Sequence, residues 1–257
     1  MIEIRPIQYT EADAFLQLLC DVFDIEFQRA KSVFFAEPSF DLNRKWALFE
    51  SGKMISILTT TPIKIGSQAA VGIAGVATLA SEQRRGLAQK LIMRVMECSR
   101  ENGEQNIYLF ARDATVYSRC GFEKIDTVVQ GLINPDPEFH EVESMPTMKV
   151  RAIYDYWSQN GLNRFVRTPV RWDVWNWACR ICEPAHDGYI CYEMTTVREA
   201  ILPLGLSSWP VTPGTDWLGL AHTTSVLEVP VVSAPTDLFL MATQGAPLPV
   251  MFMTDQF

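Results

Sequence analysis

The chain opens on an alternating segment, Ile2-Glu3-Ile4-Arg5, whose period of two predicts a strand. Phe15, Leu16, Leu19, Val22 and Phe23 then recur at helical spacing and predict one buried helix face, with the helix closing near Asp24. Thr10 is its expected N-cap, with Asp13 completing a weak capping box. Residues 25–40 read as a connection with some helix. Runs 45–50 and 54–60 flank Ser51-Gly52 and predict a hairpin, and residues 62–65 begin a separate strand. The charge-free apolar run 71–80 fits a strand buried on both faces.

Leu87, Leu91, Ile92, Val95 and Met96 place a helix over 87–100, and Asn102-Gly103 ends it. Residues 106–111 read as a buried strand and 113–119 as a short helical turn, with Gly121 as its left-handed cap before Phe122. Strand, helix and strand over 71–111 make a crossover unit, so the two strands are parallel or share a mixed sheet. Asn134-Pro135-Asp136-Pro137 through Pro146 reads as a linker. Beyond it, Trp157, Trp172, Trp175 and Trp177 cluster, and seven prolines from Pro203 to Pro249 break the remainder into short strands. The expected organisation is one domain over 1–147 and a smaller C-terminal α+β lobe over 148–257.

Composition narrows the class. Over 257 residues, 48% hydrophobic and 20% charged positions suit a globular chain with a sizeable core and argue against extended disorder. Twenty-two Lys and Arg against thirty Asp and Glu give a charge of −8. That is a poor footprint for nucleic acid or an anionic membrane, and mildly favours a cationic partner. The charge-free stretches 65–81 and 238–254 are short and interrupted by Gly or Pro, so no membrane helix is expected. Without a basic and apolar leader at Met1, the six cysteines read as free thiols of a cytoplasmic protein.

The stretch with chemistry in it is G-V-A-T-L-A-S-E-Q-R-R-G-L-A, residues 75–88. A buried strand runs into a loop and then into an amphipathic helix, whose first free N–H groups and dipole favour an anion. Gly86 allows close backbone approach, and Arg84 and Arg85 add positive charge, which is suitable equipment for a pyrophosphate. The plain alternative is a strand–loop–helix turn with solvated arginines. Neither the P-loop string nor G-x-G-x-x-G is present.

The Q-x-x-G-x-A pattern after V-A-T resembles the acetyl-CoA-binding motif of the GCN5-related N-acetyltransferases (GNAT), and Val116-Tyr117-Ser118-Arg119-Cys120-Gly121-Phe122 resembles their Y-x-R-x-G-[FY] segment. The two stand one helix and one strand apart, as in that family. A narrower resemblance is to the enhanced intracellular survival (Eis) branch, whose G-V-A-V…R-R-G-L-L and I-Y-x-R-F-G-Y look like G-V-A-T…R-R-G-L-A and V-Y-S-R-C-G-F here. The branch also shares a terminal Phe, which is Phe257 here. The likeness is clear over 1–130 and faint beyond 150, and the chain is too short for that branch's sterol-carrier-like domain.

The resemblance implies an α/β GNAT fold, a mixed central sheet flanked by helices, with a second, smaller, degenerate GNAT-like lobe. It implies acetyl-CoA as co-substrate, no metal, and direct attack by a primary amine of a small molecule or peptide; self-association into a homo-oligomer stays open. The backbone of Val76, Ala77 and Thr78 would pair with the pantetheine arm. Arg84, Arg85, Gly86, Leu87, Ala88 and Gln89 would hold the pyrophosphate, with Arg112 and Asp113 as further cofactor contacts. Tyr117 would be the general acid and the Phe257 carboxylate the base, with Asp21, Asp24 and Glu26 as competing bases. A second class of function is a non-catalytic CoA-binding or ligand-sensing module.

Two other features carry alternatives. Cys179, Cys182, His186 and Cys191 stand one residue short of zinc-knuckle spacing, yet read as three core thiols and a surface His rather than a zinc site, with Cys179 and Cys182 in a run of helical character. The four tryptophans could cage a cationic amine or pack as core. His140, His186 and His222 form no triad pattern.

Overall fold

The computed structural model describes residues 1–137, 143–178 and 180–257. The strands are β1 (Ile2–Pro6), β2 (Lys45–Glu50), β3 (Lys53–Ile65), β4 (Gln68–Thr78), β5 (Asn106–Ala111), β6 (Phe122–Leu132), β7 (Ile181–Ala185), β8 (Gly188–Glu193), β9 (Thr196–Ile201), β10 (Asp216–Leu220) and β11 (Ala234–Thr243). The helices are α1 (Ala12–Phe23), α2 (Phe27–Phe34), α3 (Leu87–Glu101), α4 (Thr115–Ser118), α5 (Thr147–Gln159), α6 (Pro169–Trp177) and α7 (Ala221–Val226).

All the strands lie in one mixed sheet, ordered β1-β2-β3-β4-β5-β11-β6-β10-β9-β8-β7. The crossover through α3 makes β4 and β5 parallel. The expected boundary at 147/148 falls at the start of α5, and the sheet runs on across it. β11 lies antiparallel between β5 and β6, so a strand from near the chain end completes the sheet of the first segment.

Both faces of the first half are covered. Ala47, Phe49, Ile57 and Ala77 pack under Phe15 and Leu18 of α1, whereas Leu48, Ile55, Leu58 and Ile73 pack under Leu87, Leu91 and Val95 of α3. This double cover is why β2 and β4 read as continuous apolar runs. No helix among the described residues is long and apolar enough to cross a membrane.

Four local expectations are corrected. Thr10 does not cap α1: it sits inside a 3-10 turn, Tyr9–Glu11, whose capping box joins Gln8 and Glu11. Glu11 is bound in turn by both Arg5 guanidinium nitrogens at 2.8 Å, which settles the competition. Residues 53–65 are one strand rather than two, because β2 ends opposite Thr59 and leaves that edge of β3 free to accept Pro62. Cys182 is not helical: it lies in β7, opposite Cys191 of β8. Val22 and Phe23 leave the buried face of α1 and are exposed.

The C-terminal half folds around a cation. Tyr154, Trp157, Trp172 and Trp175 form the core between α5, α6 and the sheet. Trp157, Trp172 and Trp175 are therefore core, whereas Trp177 is exposed; rings do enclose a cation, which is the chain's own Arg167. Its guanidinium carbon lies 3.8 Å from the Tyr154 ring centroid and 4.6 Å from that of Trp172. Arg167 donates to Glu199 at 2.7 and 3.1 Å and to Asp255 at 2.6 Å. Tyr189, Trp175 and Thr254 donate to Glu199, and Tyr154 to Asp255 at 2.9 Å. Burial alone would push the Glu199 carboxyl up; Arg167 outweighs it and holds the group below its ordinary value.

Removing one partner of a buried pair leaves the other charge uncompensated. Arg167→Met is expected to cost about 3–5 kcal/mol of unfolding free energy, read from urea denaturation. A loss under about 1 kcal/mol would mean that the cluster contributes no more than an exposed ion pair.

Candidate active site

Strands β4 and β5 pair only from Ala70 to Ile73 against Asn106 to Leu109. Beyond Ile73 they part. The cause is local to β4: its register with β3 skips from Ala74 opposite Thr59 to Ala77 opposite Ile57, a bulge at Gly75-Val76. Gly75 takes a left-handed φ of 59°, and a β-carbon there would stand 3.1 Å from Leu19 Cδ1. On the side facing β5, the backbone of residues 74–78 has no strand partner.

The strand then feeds the loop to α3. Arg84 and Gly86 both have positive φ, 63° and 74°. Gly86 is the N-cap and offers no side-chain acceptor, so the first α3 amides stay open, and the first helical bond runs from Lys90 N–H to Gly86 O. Gln83 Nε2 donates to Thr78 O at 3.2 Å, bracing the loop on β4. Gln89 Nε2 donates to Arg119 O at 3.2 Å, tying α3 to the end of α4.

Two cavities flank this junction. The first, about 570 Å³, is lined by Val76, Thr78, Arg84, Gly86, Leu87, Ala88 and Gln89, with Asp113, Val116 and Tyr117 opposite. The second, about 500 Å³, lies in the parting of β4 and β5, between Ile73, Ala74 and Gly75 on one side and Phe110, Ala111 and Arg112 on the other. Phe257, Phe23 and Leu238 also line it. Val76, Asp113, Val116 and Tyr117 belong to both walls.

Most of the residues singled out from the sequence thus meet here, and two of the candidate cofactor contacts, Ala77 and Arg85, line neither cavity. Ala77 is buried under α1 and leaves only its backbone. The Arg85 guanidinium is taken by Glu50, at 2.9 Å on both nitrogens, and by Glu82. Arg112 forms an exposed pair with Asp237 at 3.5 Å. Asp113 caps α4 by accepting from Thr115 N and Oγ1 at 2.8 and 2.6 Å. Asp21, Asp24 and Glu26 line neither cavity: Asp21 accepts from Gln17, Asp24 ends α1 in a left-handed turn, and Glu26 caps α2.

Tyr117 packs edge-on against Phe122, with ring centroids 6.4 Å apart. Burial pushes its phenol above the ordinary value, and Cys120 and Asp113 add to this, so it is protonated at neutral pH. Phe257 is brought in from the far lobe. Arg171 Nη2 donates to Asp255 O at 3.0 Å and to Gln256 O at 3.4 Å, and the Phe257 ring lies on Gly72 and 5.6 Å from the Phe110 ring.

The sequence reading did not single out Glu82, Gln83, Thr115, Phe110 or Leu238 as site residues. Thr115 adjoins the second motif and Gln83 is the first residue of the Q-x-x-G-x-A pattern, so both could have been found from them. Leu238 could not, because only the insertion of β11 puts it there. The cysteine and histidine set does not converge among the described residues: Cys182 and Cys191 are buried free thiols, His186 is exposed at the β7–β8 turn, and Cys179 lies outside the described residues. His140 also lies outside them.

Residues 3–125, just under half of the chain, match the family model of the acetyltransferase (GNAT) domain. The whole chain superposes on GCN5-related N-acetyltransferases of Kribbella flavida (TM-score 0.69, 14% identity, 94% of this chain and 70% of that one) and Anabaena variabilis (0.68, 14%, 94% and 72%). The chain has the GNAT fold. Eis1 from Mycobacterium abscessus shares the fold at a TM-score of 0.59 and 15% identity, over 95% of this chain and 73% of that one. No curated protein matches the sequence. Within the GNAT fold the cleft consists of two adjoining cavities that share Val76, Asp113, Val116 and Tyr117, one against the open α3 amides and the other in the parting of the strands.

The seat of Phe257 can be tested apart from any activity. A β-carbon on Gly72 would stand 2.1 Å from the Phe257 ring, so Gly72→Ala is expected to cost about 1–3 kcal/mol by overpacking. Phe257→Ala should remove most of that cost in a double-mutant cycle. Additive effects would mean that the ring does not rest on Gly72 in solution.

Proposed function

We propose that the protein is an N-acetyltransferase that uses acetyl-CoA to acetylate a primary amine, of the two-lobed, Eis-like kind, acting in the cytoplasm. The observation that supports it most is a pair of adjoining cavities beside β4, which lacks a partner on its β5 side beyond Ile73 and leads to an uncapped helix N-terminus. An extended amide-bearing arm suits the backbone of Val76, Ala77 and Thr78 as an added strand would. The pyrophosphate suits the amides of residues 86–89 and the Arg84 side chain, where dipole and charge agree in sign. Arg85 contributes its backbone, since its guanidinium is engaged elsewhere. Arg112 and Asp113 stand at the mouth of the cleft.

Acetyl-CoA supplies an activated acetyl group: the amine nitrogen forms the new C–N bond at the thioester carbon as the C–S bond breaks, giving an amide and free CoA thiol. The residues then have two protons to handle. Tyr117, kept protonated by burial and placed in the wall common to both cavities, donates one to the departing sulfur. The terminal carboxylate of Phe257, a residue that lines the second cavity, takes the one the amine loses. Positioning by the β4 backbone and the α3 amides supplies most of the remaining advantage.

Calorimetric titration with acetyl-CoA is expected to show saturable binding that Gly86→Glu abolishes, because the new carboxylate faces the anion site and the left-handed φ is strained. No binding by the wild type at millimolar acetyl-CoA would refute the reading.

Tyr117→Phe should lower kcat for thiol release about 100-fold or more with acetyl-CoA affinity retained. Extending the chain past Phe257 should lower kcat as well. Unchanged kcat in the first variant removes Tyr117 as the acid, and in the second removes the Phe257 carboxylate as the base. Binding with no turnover on any amine would favour a CoA-sensing module.

A further inference from the structure

We infer that the acceptor is a small monoamine with an apolar, ring-sized body, and not a polyamine or other polycation. The inference rests on the N-acetyltransferase reading and goes beyond it, to the chemistry of the second cavity.

That cavity has almost no charge to offer. Beyond the terminal carboxylate of Phe257, which the reacting nitrogen uses, Arg112 and Asp113 are the charged groups in its lining. They cancel, and both are engaged: Arg112 faces Asp237, and Asp113 holds Thr115 at the start of α4. The Thr115 hydrogen bonds keep the Asp113 carboxyl below its ordinary value. The chain's −8 charge lies elsewhere, and Asp21, Asp24 and Glu26, the acidic groups near the end of α1, line neither cavity.

The walls are apolar. Phe23 from α1, Phe110 from β5, Leu238 from β11 and Phe257 from the chain end surround the parting of the strands, with Ile73 behind them. These residues come from four separate parts of the chain, and three of them are aromatic. Phe23 stays about half exposed, at 49%, although the helix face it extends is buried. A half-exposed ring at a cavity mouth is a surface that a ligand can cover. The volume, about 500 Å³, falls within the usual range for small-ligand sites.

The chemistry of attack points the same way. An ammonium must lose its proton before its nitrogen can attack a thioester. Apolar surroundings disfavour the charged form and lower an amine's pKa, so they help a single reacting nitrogen. A second or third ammonium on the same molecule would face those walls with the Phe257 carboxylate already serving the reacting nitrogen and Asp113 held by Thr115, which costs affinity. One amine at the end of an apolar body satisfies both conditions.

The test uses the untagged full chain. Acetyl-CoA affinity is measured by calorimetry, and thiol release is followed with phenethylamine, spermidine and a lysine-containing peptide. Phenethylamine is expected to exceed both others in kcat/KM by about tenfold or more. Leu238→Glu, which lines the second cavity and not the first, should shift that ratio about tenfold toward spermidine with acetyl-CoA affinity unchanged. Phe23→Ala, at an exposed position that the fold tolerates, should raise KM for phenethylamine and leave that for spermidine unchanged. Equal or better turnover of spermidine or the peptide overturns the inference while leaving the acetyltransferase reading intact. So does failure of the CoA-saturated protein to bind or acetylate phenethylamine. Absence of acetyl-CoA binding overturns both together.

Discussion

The C-terminal half depends on one buried guanidinium. Arg167 has no exposed side-chain surface, and neither does Glu199. Such a cation is tolerable only with full compensation, and it receives two carboxylates, a threonine hydroxyl and aromatic faces. The partners come from widely separated places: Tyr154 on α5, Trp175 on α6, Tyr189 on β8, Glu199 on β9 and Asp255 near the chain end. Glu199 and Asp255 bond to the guanidinium directly, Tyr154 stacks on it, and Trp175 and Tyr189 satisfy the remaining lone pairs of Glu199. The residues that converge on Arg167 are therefore held in one arrangement, as a hydrophobic cluster of equal size would not require. The last residues of the chain inherit that arrangement, since Asp255 is one of the partners and Arg171 holds the next two carbonyls.

This constraint reaches the cleft through a short path. Fixing Asp255 leaves two residues to the ring of Phe257, which meets Gly72 at the last paired stretch of β4 and β5. β11 makes a second connection. It fills the place between β5 and β6, and Leu238 near its start forms part of the wall. The cleft is thus closed on one side by residues that the first half of the chain does not contain.

The cleft itself is an assembly of interruptions. A bulge parts two strands, a glycine leaves a helix start open, and Arg84 is held at a positive φ. Each sacrifices local hydrogen bonding, and each is braced by its neighbours: Leu19 under Gly75, Gln83 on Thr78, Gln89 on Arg119. The two adjacent arginines divide the work. Arg85 locks the loop to β2 through Glu50, and this leaves Arg84 as the arginine of the pair that faces the first cavity.

In the first 130 residues the elements were legible because each is long or strongly periodic, and because the crossover rule fixes how β4, α3 and β5 relate. The loop 83–89 and the segment around Tyr117 were legible for the same local reason. The misreadings there, at Thr10 and Pro62, arose where a tertiary partner overruled a local preference: Arg5 favours the Glu11 box, and the end of β2 makes room for a proline. Beyond residue 150, short strands interrupted by proline carry little period, and the tryptophans read more readily as core or lobe-interface residues than as a cage. Trp157, Trp172 and Trp175 are core, Trp177 is exposed, and the cation among the rings is internal.

The sequence by itself determined the order of strand, loop and helix, the anion-suited α3 start and the position of Tyr117, because each depends on residues within one or two turns of each other. Only the tertiary structure decided that Arg85 turns away, that Val22 and Phe23 leave the core, and that Leu238 and Phe257 line the cleft. Those outcomes depend on long-range pairing of β11 with β5 and β6 and on the compensation of a buried charge. Both are properties of residues far apart in the chain, and neither leaves a periodic trace in it.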